Sequence, residues 1–94
     1  YLSVMKFHVY LLVSKSYNNK FISYVGYTKN LKNRLDLHNK SKGAKFTKGK
    51  KWYLAYSKEY KTKSIAMKEE YKLKKNSIKR SKIKNDFIFK GKLI

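Results

Sequence analysis

A chain of 94 residues is enough for one small domain with a modest core and little burial to spare. It contains no run of about 18 apolar residues that would cross a membrane, no charged-then-apolar leader and no cysteine, which excludes disulfides and thiolate zinc sites. Lys and Arg number 25 against 5 Asp and Glu, and a net charge of +20 repels itself unless a polyanion is near, so nucleic acid is the expected partner. A membrane surface and a genome rich in lysine codons are the competing explanations of that charge, and an intracellular setting (cytoplasm, or nucleus if eukaryotic or viral) is the default.

Met5-Lys6-Phe7 would make a natural start, so Tyr1 to Val4 carry no argument. Phe7-His8-Val9-Tyr10-Leu11-Leu12-Val13 and Phe21 to Tyr27 are rich in β-branched and aromatic residues and flank the polar stretch Ser14 to Lys20, with Asn18-Asn19 at its middle. They read as two antiparallel strands. The first alternates Phe7, Val9, Leu11 and Val13 with His8, Tyr10 and Leu12, so both of its faces are apolar and both need cover from helices.

After Gly26 the period changes: Thr28 or Asn30 caps a helix carrying Leu31, Leu35 and His38 that ends within Asn39 to Gly43. Arg34 and His38, four residues apart, share one face of it. Ser41 to Lys51 is a glycine-punctuated basic loop, either a solvated connector or a lip that contacts phosphate. Trp52 to Ser57, continuing to Glu59-Tyr60, reads as a third strand, and Thr62 or Ser64 caps a helix running to about Asn76 with Ala66, Glu70 and Leu73 on one face. For Ser77 to Ile94 a short helix and an apolar tail folded back onto the domain are expected, since Ile78, Ile83, Phe87, Ile88, Phe89 and Leu93 are costly to expose. The order is β-β-α-β-α with a basic tail, an α+β domain whose core spans 6–76 and whose basic segment spans 77–94.

Only two of the basic residues are arginine, Arg34 and Arg80. In a chain that otherwise uses lysine, an arginine suggests a site that needs the planar five-donor fork, and His38 on the same face makes Arg34 the better candidate. Glu70 is a carboxylate set among apolar neighbours; it is either a hard oxygen ligand for Mg²⁺ or half of a surface ion pair with Lys74. His8 and His38 lie on different elements, which does not suit zinc. A phenol near pKa 10 is a poor base unless cations depress it, and cations are abundant here.

Val9-Tyr10, Tyr24-Val25-Gly26, Arg34 with His38-Asn39, Lys42-Gly43-Ala44-Lys45-Phe46-Thr47, and Ala66 to Glu70 followed by Lys74 occur in that order. Together they resemble the GIY-YIG nuclease superfamily over about Lys6 to Lys75. The chain is similar to the small single-domain branch and to the catalytic domain of structure-specific resolvase-type nucleases, which carry similar His-Asn and Gly-Ala-Lys-Tyr-Thr segments. The first motif, His8-Val9-Tyr10, lacks its glycine, and Tyr27 follows Gly26 where some repair nucleases have lysine. The resemblance implies a three-stranded antiparallel sheet flanked by helices and hydrolysis of a DNA phosphodiester with one Mg²⁺ or Mn²⁺ held by Glu70. It also implies that Arg34 steadies the scissile phosphate and that Tyr10, Tyr24 and His38 activate and orient water, with Lys42, Lys45, Thr47, Lys48 and Lys74 as DNA contacts. Branched or single-stranded DNA is the expected form, with RNA as a further partner. A silent nucleic-acid binding module of the same fold and a basic RNA-binding protein are the alternatives.

A shared site makes one geometrical demand. A regular two-residue Asn18-Asn19 turn would put Tyr10 opposite Tyr27 and Val13 opposite Tyr24, turning Tyr10 and Tyr24 to opposite faces. An odd-length connection or a β-bulge between Val13 and Tyr24 is therefore expected, with both phenols directed toward Arg34, His38 and Glu70.

Overall fold

A computed structural model describes residues 6–15 and 20–90 of the chain. Strand β1 (Phe7–Lys15) is followed by β2 (Phe21–Thr28), α1 (Leu31–Asn39), a single 3-10 turn (Lys45–Thr47), β3 (Tyr53–Tyr60), α2 (Lys63–Lys75) and α3 (Ser77–Phe89). The sheet is antiparallel in the order β2-β1-β3, which places β1 at the centre. That explains its two apolar faces: residues Val9 to Ser14 are all buried.

One face of β1 packs Val9, Leu11 and Val13, with Val25 of β2, against Ala66 and Leu73 of α2, and Ile83 and Phe87 of α3 close the margin. The other face buries Tyr10, Leu12 and Trp52 beneath Leu31 and Leu35 of α1. Asn30 caps α1 by accepting the Asn33 N–H at 3.0 Å, and Thr62 caps α2 by accepting that of Ile65 at 3.1 Å. In each case one of the two expected caps is used.

The register pairs Lys15 with Phe21, so five residues, an odd number, separate the paired ends, and no shift interrupts β1 and β2. The expected parity holds through loop length; Asn18-Asn19 lies outside the described residues. A bulge does occur, but between β1 and β3, where Leu11 pairs with Tyr56 and Leu12 with Leu54.

The C-terminal expectation needs correction. Residues 77–89 form one continuous helix rather than a short helix and a folded-back tail. Asn76 ends α2 and starts α3, its side chain accepting the Lys79 N–H at 3.0 Å. Only one face of α3 meets the domain: Ile83 and Phe87, four apart, pack inward, whereas Ile78 and Phe89 remain 83% and 89% exposed. Leu93 lies outside the described residues.

Candidate active site

The register sets Tyr10 opposite Gly26 and Leu12 opposite Tyr24, so the two tyrosines share the face that α1 covers. His38, on the last turn of α1 and fully buried, meets both rings edge-on, with centroids 5.9 Å from Tyr10 and 5.1 Å from Tyr24. Its Nε2 lies 2.9 Å from the Tyr10 hydroxyl and its Nδ1 2.9 Å from Thr47 Oγ1. One turn earlier, Arg34 extends Nε to the Tyr10 oxygen and a terminal nitrogen to the Gly43 carbonyl, each at 3.5 Å.

The proton positions in this chain follow from one carbonyl. Thr47 Oγ1 is 2.9 Å from the Ala44 carbonyl oxygen, which has no proton to give, so the hydroxyl donates there. Thr47 therefore accepts from Ala44 N–H at 3.2 Å and from His38 Nδ1–H. His38 Nε2 is left with its lone pair, and Tyr10 donates to it. The Tyr10 oxygen in turn accepts from the Arg34 fork. The chain thus has one polarity, from Arg34 through Tyr10 and His38 to Thr47.

Burial, and next the Arg34 charge, push the His38 pKa below its ordinary 6.5, which keeps the ring neutral at pH 7 and Nε2 able to accept. Tyr10 departs from the expectation that cations depress its phenol. Burial is the largest effect and raises its pKa above 10.0, more than the Arg34 hydrogen bond and charge lower it, and Glu70 raises it further. Tyr10 therefore keeps its proton and gives it to the neighbouring imidazole in a hydrogen bond.

Two glycines make room for the two rings. A Cβ on Gly26 would strike the Tyr10 hydroxyl and lie 2.6 Å from its Cζ, and one on Gly43 would strike His38 Nδ1 and lie 2.7 Å from its Cε1. Asn39 fixes the loop that carries Gly43 and Thr47. Its Oδ1 accepts the Trp52 N–H at 2.6 Å and its Nδ2 donates to the Trp52 carbonyl at 3.2 Å, while the Trp52 indole donates to the Thr47 carbonyl at 3.0 Å.

The two adjacent glutamates of α2 serve different surroundings. Burial first, and then the Glu69 charge, raise the Tyr60 pKa, whereas Glu70 adds to the rise at Tyr10 after burial. All three glutamates pair with lysine: Glu59 with Lys6 at 3.1 Å, Glu69 with Lys72 at 3.3 Å and Glu70 with Lys74 at 3.7 Å. Glu70 has the least exposed side chain, at 17% against 54% and 33%, and its lysine is the farthest. The ion pair considered from sequence thus exists, and it is loose.

The family model described as the GIY-YIG catalytic domain matches residues 6–84. The chain belongs to the GIY-YIG family. A UPF0213 protein from Oceanobacillus iheyensis is 48% identical over 52 residues, which is 54% of this chain and 60% of that protein. One from Staphylococcus aureus is 44% identical over 52 residues, 54% of this chain and 63% of its own. The chain thus spans less than two thirds of these relatives' lengths. The solution NMR structure of a UPF0213 protein from Bacillus halodurans is 30% identical and superposes with a TM-score of 0.44 over 83% of this chain and 80% of its own.

GIY-YIG nucleases are generally dependent on a divalent metal. The donor set here suits Mg²⁺ or Mn²⁺ better than zinc. No group of three or more His, Cys, Asp or Glu side chains gathers among the described residues, and Mg²⁺ is commonly held through one or two carboxylates, with water and phosphate oxygens supplying the rest. Glu70, whose side chain is the least exposed of the three glutamates, is a single hard-oxygen donor.

Of the residues expected to contact DNA, Lys42, Lys45, Lys48 and Lys74 are exposed. Thr47 requires correction. It is 0% exposed and its hydroxyl is committed to His38 and Ala44, so its place is beneath the site. Sequence reasoning missed the Thr47 link and the space-making roles of Gly26 and Gly43. The only signal was that these residues fall inside the motif segments.

Proposed function

We propose that this GIY-YIG domain is a metal-dependent endonuclease that hydrolyses DNA phosphodiesters, with branched or single-stranded DNA as its preferred forms. The observation that carries the reading is the one-way hydrogen-bond chain from Arg34 to Thr47, which passes through an imidazole kept neutral and able to accept a proton.

Arg34 has its guanidinium at the Tyr10 oxygen and orients a scissile phosphate there, its charge offsetting charge that develops on the phosphoryl oxygens. A water attacking phosphorus gives its proton to the Tyr10 oxygen while Tyr10 passes its own proton to His38 Nε2; as the new P–O bond forms, the bond from phosphorus to one sugar oxygen breaks, and that oxygen leaves and takes a proton from solvent. Tyr10 thereby acts without becoming a free phenolate, which its raised pKa would oppose. Thr47 holds the Nδ1–H of the imidazolium that results, and Tyr24, edge-on to His38, fixes the ring plane. Glu70 would hold the Mg²⁺ or Mn²⁺, which would supply positive charge to offset the negative charge developing in the phosphoryl group. Lys42, Lys45, Lys48 and Lys74 bind flanking phosphates.

The test is cleavage of plasmid, single-stranded, branched and RNA substrates with Mg²⁺, Mn²⁺ or EDTA, comparing wild type with Glu70→Gln and Glu69→Gln. Glu70→Gln is expected to abolish metal-dependent cleavage while keeping or raising DNA affinity, because an anion facing phosphate is lost, and Glu69→Gln to stay active. Loss in Glu69→Gln alone would reassign the metal ligand. Retained binding with no cleavage of any substrate would make the domain a silent binding module.

A further inference from the structure

The second arginine has a setting of its own. Arg80, on the first turn of α3, spends its Nε–H on the Leu73 carbonyl at 3.1 Å, and its terminal nitrogens have no hydrogen-bond or ion-pair partner among the described residues. That anchor fixes the guanidinium plane. The side chain borders a cleft of about 250 Å³ together with Lys74, Tyr24 and Phe46.

Tyr24 forms a wall of this cleft and also meets His38, so the cleft adjoins the site across a single ring. Phe46 stacks on Tyr24 with centroids 6.1 Å apart and an interplanar angle of 20°, yet remains 51% exposed. The cleft thus joins two cations to an apolar ledge. Those are the features that a nucleic-acid strand presents in reverse, a phosphate beside a sugar and base. The two arginines of a lysine-dominated chain therefore flank the same pair of tyrosines, Arg34 at Tyr10 and Arg80 beside Tyr24.

We infer that Arg80 and Lys74 form a second phosphate subsite, which holds the linkage next to the scissile one in the cleaved strand while Phe46 and Tyr24 support the intervening nucleoside. This rests on the nuclease reading for the direction of the strand, but its contacts are made in binding, before any chemistry. A fixed Nε leaves the outer N–H groups of Arg80 as a fork that suits two phosphate oxygens. Lys74 adds a mobile charge, and its ion pair with Glu70 at 3.7 Å is loose enough to exchange for phosphate.

The test is binding of a short single-stranded oligonucleotide in EDTA, with one neutral methylphosphonate linkage moved along it. Wild type should show one linkage, beyond the one that faces Arg34, whose neutralisation weakens binding about fivefold to tenfold. In Arg80→Ala that linkage should lose its special penalty, and the salt slope of binding should fall by about 0.7, the value for one single-strand phosphate contact. Arg80→Gln removes the charge while keeping a donor for the Leu73 carbonyl, and it should behave as Arg80→Ala does if the latter folds poorly. Lys79→Ala removes the neighbouring charge, whose ammonium lies over Tyr56 at 5.7 Å, and should leave the linkage pattern unchanged. A wild-type scan with no privileged second linkage, or arginine variants that keep both penalty and slope, would overturn the subsite. Loss of cleavage with the linkage pattern intact would sink the nuclease reading alone, whereas no binding of any strand would sink both.

Discussion

The two faces of the sheet are both closed, but by different means. Toward α2 and α3 the central strand offers Val9, Leu11 and Val13 to an apolar cluster, where burial alone determines the packing. Toward α1 it offers Tyr10 and Leu12, and the cover includes a histidine and a threonine, both 0% exposed, whose polar atoms are all matched. A buried polar group costs stability unless its partner is in place, so this second face tolerates one geometry only. The apolar packing and the hydrogen-bond chain from Arg34 to Thr47 thus lie back to back on one strand, where substitutions on either side should separate them.

The largest effect on stability should come from the apolar face. Leu11→Ala opens a cavity at a fully buried position and should cost about 3 kcal/mol in urea unfolding, with cleavage per folded molecule unchanged. A comparable loss of cleavage would mean that the two faces are not independent.

Gly26→Ala probes the opposite case. Its new Cβ forces the Tyr10 ring aside, and a displacement of that size should lower single-turnover cleavage by about a hundredfold while the protein stays folded. Normal cleavage would remove Tyr10 from the relay.

Thr47→Val keeps the shape and deletes the hydroxyl, leaving His38 Nδ1–H without its acceptor. Cleavage should fall about tenfold, and ring nitrogen shifts in NMR should report a mixture of His38 tautomers where wild type has one. An unchanged tautomer would break the polarity argument.

The smallest effect is that of pH. Because the folded His38 pKa lies below 6.5, its contribution to stability is present above 6.5 and is lost as pH falls through the lowered folded value. Cleavage should fall over the same acid limb as Nε2 takes up a proton. For Tyr10 the raised value places the corresponding loss above pH 10.0. Urea unfolding on either side of 6.5, in wild type and His38→Asn, measures the first limb, which the variant should lack.

Much of this was legible in the chain, for identifiable reasons. The double apolar pattern of Phe7 to Val13 required cover on both faces, and the demand that Tyr10 and Tyr24 face one way fixed the parity of the hairpin before its register was known. Helix caps at Asn30 and Thr62 could be read because capping is local. The Thr47 to His38 bond could not, since it joins a loop to a helix across nine positions by tertiary folding alone. The sequence also overstated the need to bury α3: one helix face suffices to dock it, and Ile78 lies on the other. The direction of the Tyr10 shift was hidden because charge shows in composition whereas burial does not.

Gly26 and Gly43 have a genetic consequence. Every one-base missense change of a glycine codon introduces a residue with a Cβ, and at each of these positions that atom clashes with the Tyr10 or His38 side chain. Neither glycine supplies a functional group, so on the nuclease reading proposed above a lineage could lose cleavage at either codon while every tyrosine, histidine, arginine and glutamate of the candidate site remained in its sequence. In survey by catalytic residues alone such a gene would be scored as active. Reading the two glycines as part of the site gives a stricter criterion for telling working copies from relics.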